Sequence, residues 1–165
     1  MDEEEIRSLS IGIVSSRFNH KIVEEISKAC ISKLQALGVS SKNIDHITVP
    51  GALEIPIILQ KMIVGVKKNL SHQNYDVMVA IGLVIRGETY HFEIVSDQSA
   101  AGIMRVQLDH SVPILNAVLT TNSAKEALSR AKVKGEEAAE GAIEMADKMN
   151  VLSKPNISDI DNDQI

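Results

Sequence analysis

The chain has 165 residues, 44% of them hydrophobic and 24% charged, and carries a net charge of −5. That length suits one domain with a buried core, and the acidic balance argues against nucleic acid or an anionic membrane as the main partner. No apolar run approaches the ~20 residues that span a bilayer, the start MDEEEIRS is acidic where a secretory leader is basic, and the single Cys30 excludes an internal disulfide, so a cytoplasmic protein is expected.

In chain order, residues 10–15 form a short apolar run that reads as a buried strand. Asn19 is placed to cap a helix carrying Ile22, Val23, Ile26, Ala29, Cys30, Leu34 and Leu37 at helical spacing, with Gly38 just past its end. Cys30 on that apolar face reads as core packing. Residues 44–49 are a second strand, closed by Pro50-Gly51. A second helix follows, with Pro56 in its first turn and Ile57, Ile58, Met62 and Val66 along it. After a polar loop at 69–74, residues 75–81 read as a third strand and 92–109 as a third helix. Residues 114–119 read as a fourth strand, and 122–149 as a helical stretch that Gly135 and Gly141 could divide in two. Residues 1–150 form the expected domain; 151–165 are polar and expected to be a disordered tail. Strands alternating with helices indicate βαβ units. The expected fold is α/β, a three-layer sandwich with a four-stranded parallel sheet of flavodoxin-like type.

Such a sheet gathers the loops at the carboxyl ends of its strands, where ligands bind. Here these are Ser16-Arg17-Phe18-Asn19, Val49-Pro50-Gly51-Ala52-Leu53-Glu54, Ile85-Arg86-Gly87-Glu88-Thr89-Tyr90-His91 and Leu119-Thr120-Thr121-Asn122. The third, bounded on one side by Gly82, nearly spells a P-loop, but Glu88 stands where that motif needs a lysine, and this reverses the charge offered to a phosphate. Glycine-freed amides beside Thr89 still suit a small anion at a helix start. His91 can exchange protons near neutrality, or it can simply bond backbone at the helix start. Phe18, one of four rings in the chain, can stack on a planar ligand or act as a hydrophobic staple. Glu54 suits a helix dipole or a ligand. Arg130, near Lys132 and Lys134, suits an anion or a solvated helix surface. The five histidines are scattered without metal-ligand spacing, and no nucleophile elbow or zinc-deaminase cysteine pair occurs.

Arg17-Phe18-Asn19, Val49-Pro50-Gly51-Ala52-Leu53-Glu54-Ile55-Pro56, the run from Gly82 to Phe92 and Val118-Leu119-Thr120-Thr121 resemble, in order and spacing, the motifs of the lumazine synthase family over residues 9–150. The resemblance implies condensation of 5-amino-6-(D-ribitylamino)uracil with 3,4-dihydroxy-2-butanone 4-phosphate, with no cofactor and no metal. It also implies a homo-oligomer with sites between subunits, a pentamer or a higher assembly, with riboflavin synthase as a further candidate partner. Carried over by motif, Phe18 would stack on the pyrimidine beside Asn19. Gly51, Ala52, Leu53 and Glu54 would line the ribityl chain, and the backbone of Val84 and Ile85 would meet the pyrimidine edge. Glu88 and Thr89 amides with Arg130 would hold phosphate, and His91 would transfer protons. Three departures stand out. Asn116 replaces a usual aromatic in the wall from a neighbouring subunit. The segment after Arg130 is about four residues short, which leaves Lys134 a weaker candidate than Arg130. Glu88 sets a carboxylate beside the phosphate. An archaeal-type riboflavin synthase and a non-catalytic flavin- or lumazine-binding assembly are the alternatives.

Overall fold

A computed structural model describes residues 1–65 and 74–153. The elements run α1 (Glu3–Ser8), β1 (Ile11–Ser16), α2 (His20–Ala36), β2 (Ile44–Val49), α3 (Ile55–Val64), β3 (Val77–Ile85), α4 (His91–His110), β4 (Ile114–Thr121) and α5 (Ala124–Ser153). The four strands pair in parallel in the order β2-β1-β3-β4. This is the expected flavodoxin-like α/β arrangement.

β1 is buried throughout and β3 up to its last residue, as strands covered on both faces must be. Alternation along them feeds two cores. Ile11, Ile13, Val77, Val79, Ile81 and Leu83 pack with α2 and α5, whereas Val14, Met78, Ala80 and Val84 pack with α3 and α4. Cys30 is fully buried in the first core, as its helical face predicts.

Several boundaries differ from the sequence reading. β3 does not stop at Ile81 but runs to Ile85. Gly82 is therefore a strand residue, and a Cβ there would lie 3.1 Å from the buried Ser16 hydroxyl oxygen; close approach, not a turn, explains the glycine. α5 is one continuous helix of 30 residues. A Cβ on Gly135 would meet the Ile26 carbonyl oxygen at 2.4 Å, and one on Gly141 would lie 3.0 Å from Leu115 Cδ1, so both glycines serve packing. With Ala127, Ala131, Ala138, Ala139, Ala142 and Ala146, Gly135 forms a buried seam of small residues. The helix carries Val151, Leu152 and Ser153, where a disordered tail was expected to begin; the rest of that tail lies outside the described residues. So do Val66, expected in α3, and residues 69–73 of the polar loop.

Asn19 does not cap α2 through its side chain; it adopts the left-handed conformation (φ 57°) and turns the chain into the helix. α1 was not anticipated. It begins with a capping box in which Glu5 N–H donates to Asp2 Oδ1 and Asp2 N–H to Glu5 Oε2, both at 2.8 Å.

Candidate functional site

Strand lengths create the site. Pairing of β3 with β1 ends at Ser15↔Ile81, whereas pairing with β4 continues to Ile85↔Thr121. The last residues of β3 therefore leave one flank toward the β1 loop without a ladder partner. β1 and β3 are also the neighbours at which the strand order reverses, the usual place for a ligand crevice in an open parallel sheet. A cavity of about 390 Å³ lies there.

Three segments wall it. After β1, Arg17 N–H donates to the Val49 carbonyl at 2.7 Å and Phe18 N–H to the Pro50 carbonyl at 3.1 Å. These bonds tie the loop to the end of β2 and leave the Phe18 ring 72% exposed at the cavity. That exposure is incompatible with a hydrophobic staple, which would bury the ring. After β2, a 3₁₀ turn (Ala52–Glu54) presents Gly51, Ala52, Leu53 and Glu54. The Glu54 Oε2 accepts the Gly51 amide proton at 2.8 Å. After β3, Val84 and Ile85 lead into Gly87, Thr89 and His91, the first residue of α4. His91 is exposed, and its ring has no hydrogen-bond partner among the described residues, so it is not spent on backbone capping.

Leu83, Phe92 and Val95 complete the wall and were not singled out as site residues. Part of their signal was available: Phe92 and Val95 are apolar residues three apart at the start of α4, on the side that packs toward the sheet. The resulting chamber is mainly apolar, with a carboxylate, a threonine hydroxyl and an imidazole at its edges. A planar ring sandwiched near Phe18 with a polar tail toward Glu54 and an anion at the start of α4 matches that distribution.

Other candidates are not at the cavity in this chain. Asn19 and Glu88 do not line it, so the Glu88 carboxylate is not part of its wall. Asn116 lies five residues before the carboxyl end of edge strand β4, roughly 17 Å back along it, and its Oδ1 accepts the Val118 amide proton at 3.0 Å. Arg130 sits in the second turn of α5, paired with Glu126 at 3.3 Å and 63% exposed, and Lys134 lies one turn further along. Among the described residues no group of His, Cys, Asp and Glu could hold a metal ion, and no helix is long and apolar enough to cross a membrane.

The sequence model of the family described as 6,7-dimethyl-8-ribityllumazine synthase matches residues 8–150. A protein of that name from Methylibium petroleiphilum is 48% identical over 146 residues, 88% of this chain and 87% of the relative. One from Paracidovorax citrulli is 48% identical over 147 residues, 89% and 91% of the two chains. One from Neisseria meningitidis is 47% identical over 153 residues, 93% and 92%.

Proposed function

The chain belongs to the 6,7-dimethyl-8-ribityllumazine synthase family, and from that premise we propose how its residues divide the work. The enzyme is a transferase of riboflavin biosynthesis. It condenses 5-amino-6-(D-ribitylamino)uracil with 3,4-dihydroxy-2-butanone 4-phosphate to 6,7-dimethyl-8-ribityllumazine, releasing phosphate and water. The names of the relatives favour this over a riboflavin synthase or a non-catalytic binder.

In our reading the pyrimidine stacks on Phe18, and its edge bonds the free backbone flank of Val84 and Ile85. Asn19 holds the Phe18 loop in place through its left-handed turn. The ribityl hydroxyls meet Glu54 and the backbone of Gly51, Ala52 and Leu53. The amides of Glu88 and Thr89, at the start of α4, and the Thr89 hydroxyl take the phosphate. The 5-amino nitrogen attacks the ketone carbon, and water leaves as the imine forms. Loss of a proton next to the imine then drives out phosphate. Phosphate departure leaves an enol, which takes a proton at its terminal carbon to become a new ketone; attack of the ribitylamino nitrogen on that ketone closes the second ring and releases a further water. His91 stands between the phosphate cradle and the ring site, where one imidazole can take and return these protons. Much of the acceleration comes from holding two substrates in register.

The observation that carries this reading is that Phe18, Glu54, Thr89 and His91 line one cavity. Arg130 and Asn116 fit the same reading as contributions to a neighbouring subunit's cavity, since in their own chain both stand away from it; Lys134, one turn on from Arg130, is a secondary candidate for the same role. Contact between copies, as a pentamer or a higher assembly requires, is supported by exposed apolar side chains on and just before α4. Tyr90, Ile94, Met104 and Leu108 are 71%, 44%, 52% and 68% exposed at successive spacings of four, ten and four residues, a stripe on one helical face suited to contact between copies. The free, buried Cys30 suits a reducing, cytoplasmic setting, and riboflavin synthase, which consumes the product, is the partner this reading expects.

Mixing chains tests it. His91→Ala chains and Arg130→Ala chains, each nearly inactive alone, are unfolded and reassembled together, and product is followed by absorbance. Shared sites recover up to about a quarter of the wild-type rate, because His91 of one chain meets Arg130 of the next. No recovery in the mixture overturns the shared site.

A further inference from the structure

Arg86, the first residue beyond β3, touches both the loop after β4 and the first turn of α4. Its amide donates to the Thr121 carbonyl at 2.8 Å, and its Nε to Asn122 Oδ1 at 3.3 Å. Its Nη1 pairs with Glu93 Oε1, and its guanidinium lies 4.2 Å from the centroid of the Phe92 ring, which walls the cavity. The contacts continue into α5. The Asn122 amide donates to Glu126 Oε2 at 3.0 Å, and Glu126 Oε1 pairs with Arg130 Nη2 at 3.3 Å. One unbroken chain, Glu93–Arg86–Asn122–Glu126–Arg130, thus joins the start of α4 to the start of α5.

We propose that Arg86 is a positioning residue for the phosphate-bearing substrate. It fixes the 87–90 loop against Phe92 and, through Asn122 and Glu126, sets the direction in which Arg130 projects. A lone exposed ion pair would contribute little. Arg86 instead uses a ring face and separate edges of one planar fork at the same time, an arrangement a lysine cannot reproduce. The Arg86 guanidinium also holds the Glu93 carboxyl below the usual carboxylate range, so both ends of that contact stay charged. The Arg130–Glu126 pair is exposed and spans one helical turn. Such a pair yields readily, so Arg130 is oriented by Glu126 in the empty site and free to leave it for a phosphate.

The inference rests on Arg130 being the phosphate ligand, and the experiment separates the two claims. Steady-state kinetics of the assembled enzyme are measured with each substrate varied in turn. Arg86→Gln raises KM for the butanone phosphate about 10-fold and leaves KM for the pyrimidine within about twofold. Arg86→Lys behaves like Arg86→Gln, since it restores charge without the fork. Asn122→Ala raises the same KM about threefold, and the double variant is no worse than Arg86→Gln, as members of one chain of contacts require. Equal rises in both KM values, rescue by lysine or additive effects overturn the proposal. If Arg86→Gln does not assemble, Asn122→Ala, which leaves the Phe92 stack intact, decides alone: an unchanged KM for the phosphate substrate overturns it. Arg130→Ala run in parallel marks where a failure lies. An inert Arg130→Ala overturns the phosphate-site reading and the relay with it, whereas a responsive Arg130→Ala beside an inert Arg86→Gln overturns the relay alone.

Discussion

Glu54 folds back on its own turn, its Oε2 accepting the Gly51 amide proton at 2.8 Å. The carboxylate is thereby held at the cavity wall before any ligand arrives, with its second oxygen left to accept hydroxyl bonds. Glu54→Ala loses both the anchor and the acceptor. KM for the ribityl-bearing pyrimidine should rise by about 10- to 100-fold, in line with ~1.5–3 kcal/mol for hydrogen bonds to a charged group. An unchanged KM would assign Glu54 to the turn alone.

His91 is the test of proton transfer. His91→Ala should lower kcat by about 10²–10⁴-fold, while equilibrium binding of the pyrimidine, followed by fluorescence titration, stays near wild type. A variant that loses binding and turnover together would make His91 a binding group instead.

Burial pushes the Cys30 thiol up to about 12. In the unfolded chain the thiol ionises near its ordinary value of 9.0. Above that pH the unfolded state therefore holds fewer protons than the folded one, and stability falls as pH rises. The loss begins near pH 9 and continues toward 12, at a slope approaching about 1.4 kcal/mol per pH unit. Tyr75 acts in the same direction, since burial and its hydrogen bond to Asp45 raise its phenol. Urea unfolding at pH 8 and pH 10 should show a steeper decline for the wild type than for Cys30→Ala. At pH 8 the native thiol should resist iodoacetamide and react once the chain is unfolded. Matching slopes, or alkylation of the native protein, would contradict the buried thiol.

Gly135→Ala places a methyl group 2.4 Å from the Ile26 carbonyl oxygen and 2.8 Å from Ala29 Cβ. The gain in helix propensity, about 1 kcal/mol, is outweighed when two backbones must separate, so a net destabilisation of about 1–3 kcal/mol is expected. A lower urea midpoint at unchanged steepness checks it; a higher midpoint would mean that α5 shifts without strain.

Much of the site was legible because chemistry and position coincided. Four polar loops fell at the ends of four apolar runs, and the topology of parallel sheets brings such ends together. What misled was glycine. Gly82 looked like the boundary of β3, and Gly135 looked like a break in α5, because a missing side chain marks either a turn or a close neighbour. Only the three-dimensional partners, Ser16 for the first and Ile26 for the second, tell these apart. α1 escaped notice because a run of acidic residues carries no apolar stripe; its capping box at Asp2 and Glu5 was the available sign. Asn116 and Arg130 could be matched to a motif, yet nothing in one chain's periodicity shows that both stand away from its own cavity.

The small-residue seam of α5 has a bearing on precision. A helix of 30 residues is a rod about 45 Å long, and each residue of slippage turns it by about 100°. Only one rotational setting lets Gly135 sit on the Ile26 carbonyl and Gly141 on Leu115. The seam therefore acts as a key in a slot: it fixes the rotational setting of the helix, and with it the bearing from which each outer-face side chain, Arg130 included, leaves the backbone. A catalyst assembled from copies of one chain needs such an internal reference, because aim set within a subunit is reproduced at every joint.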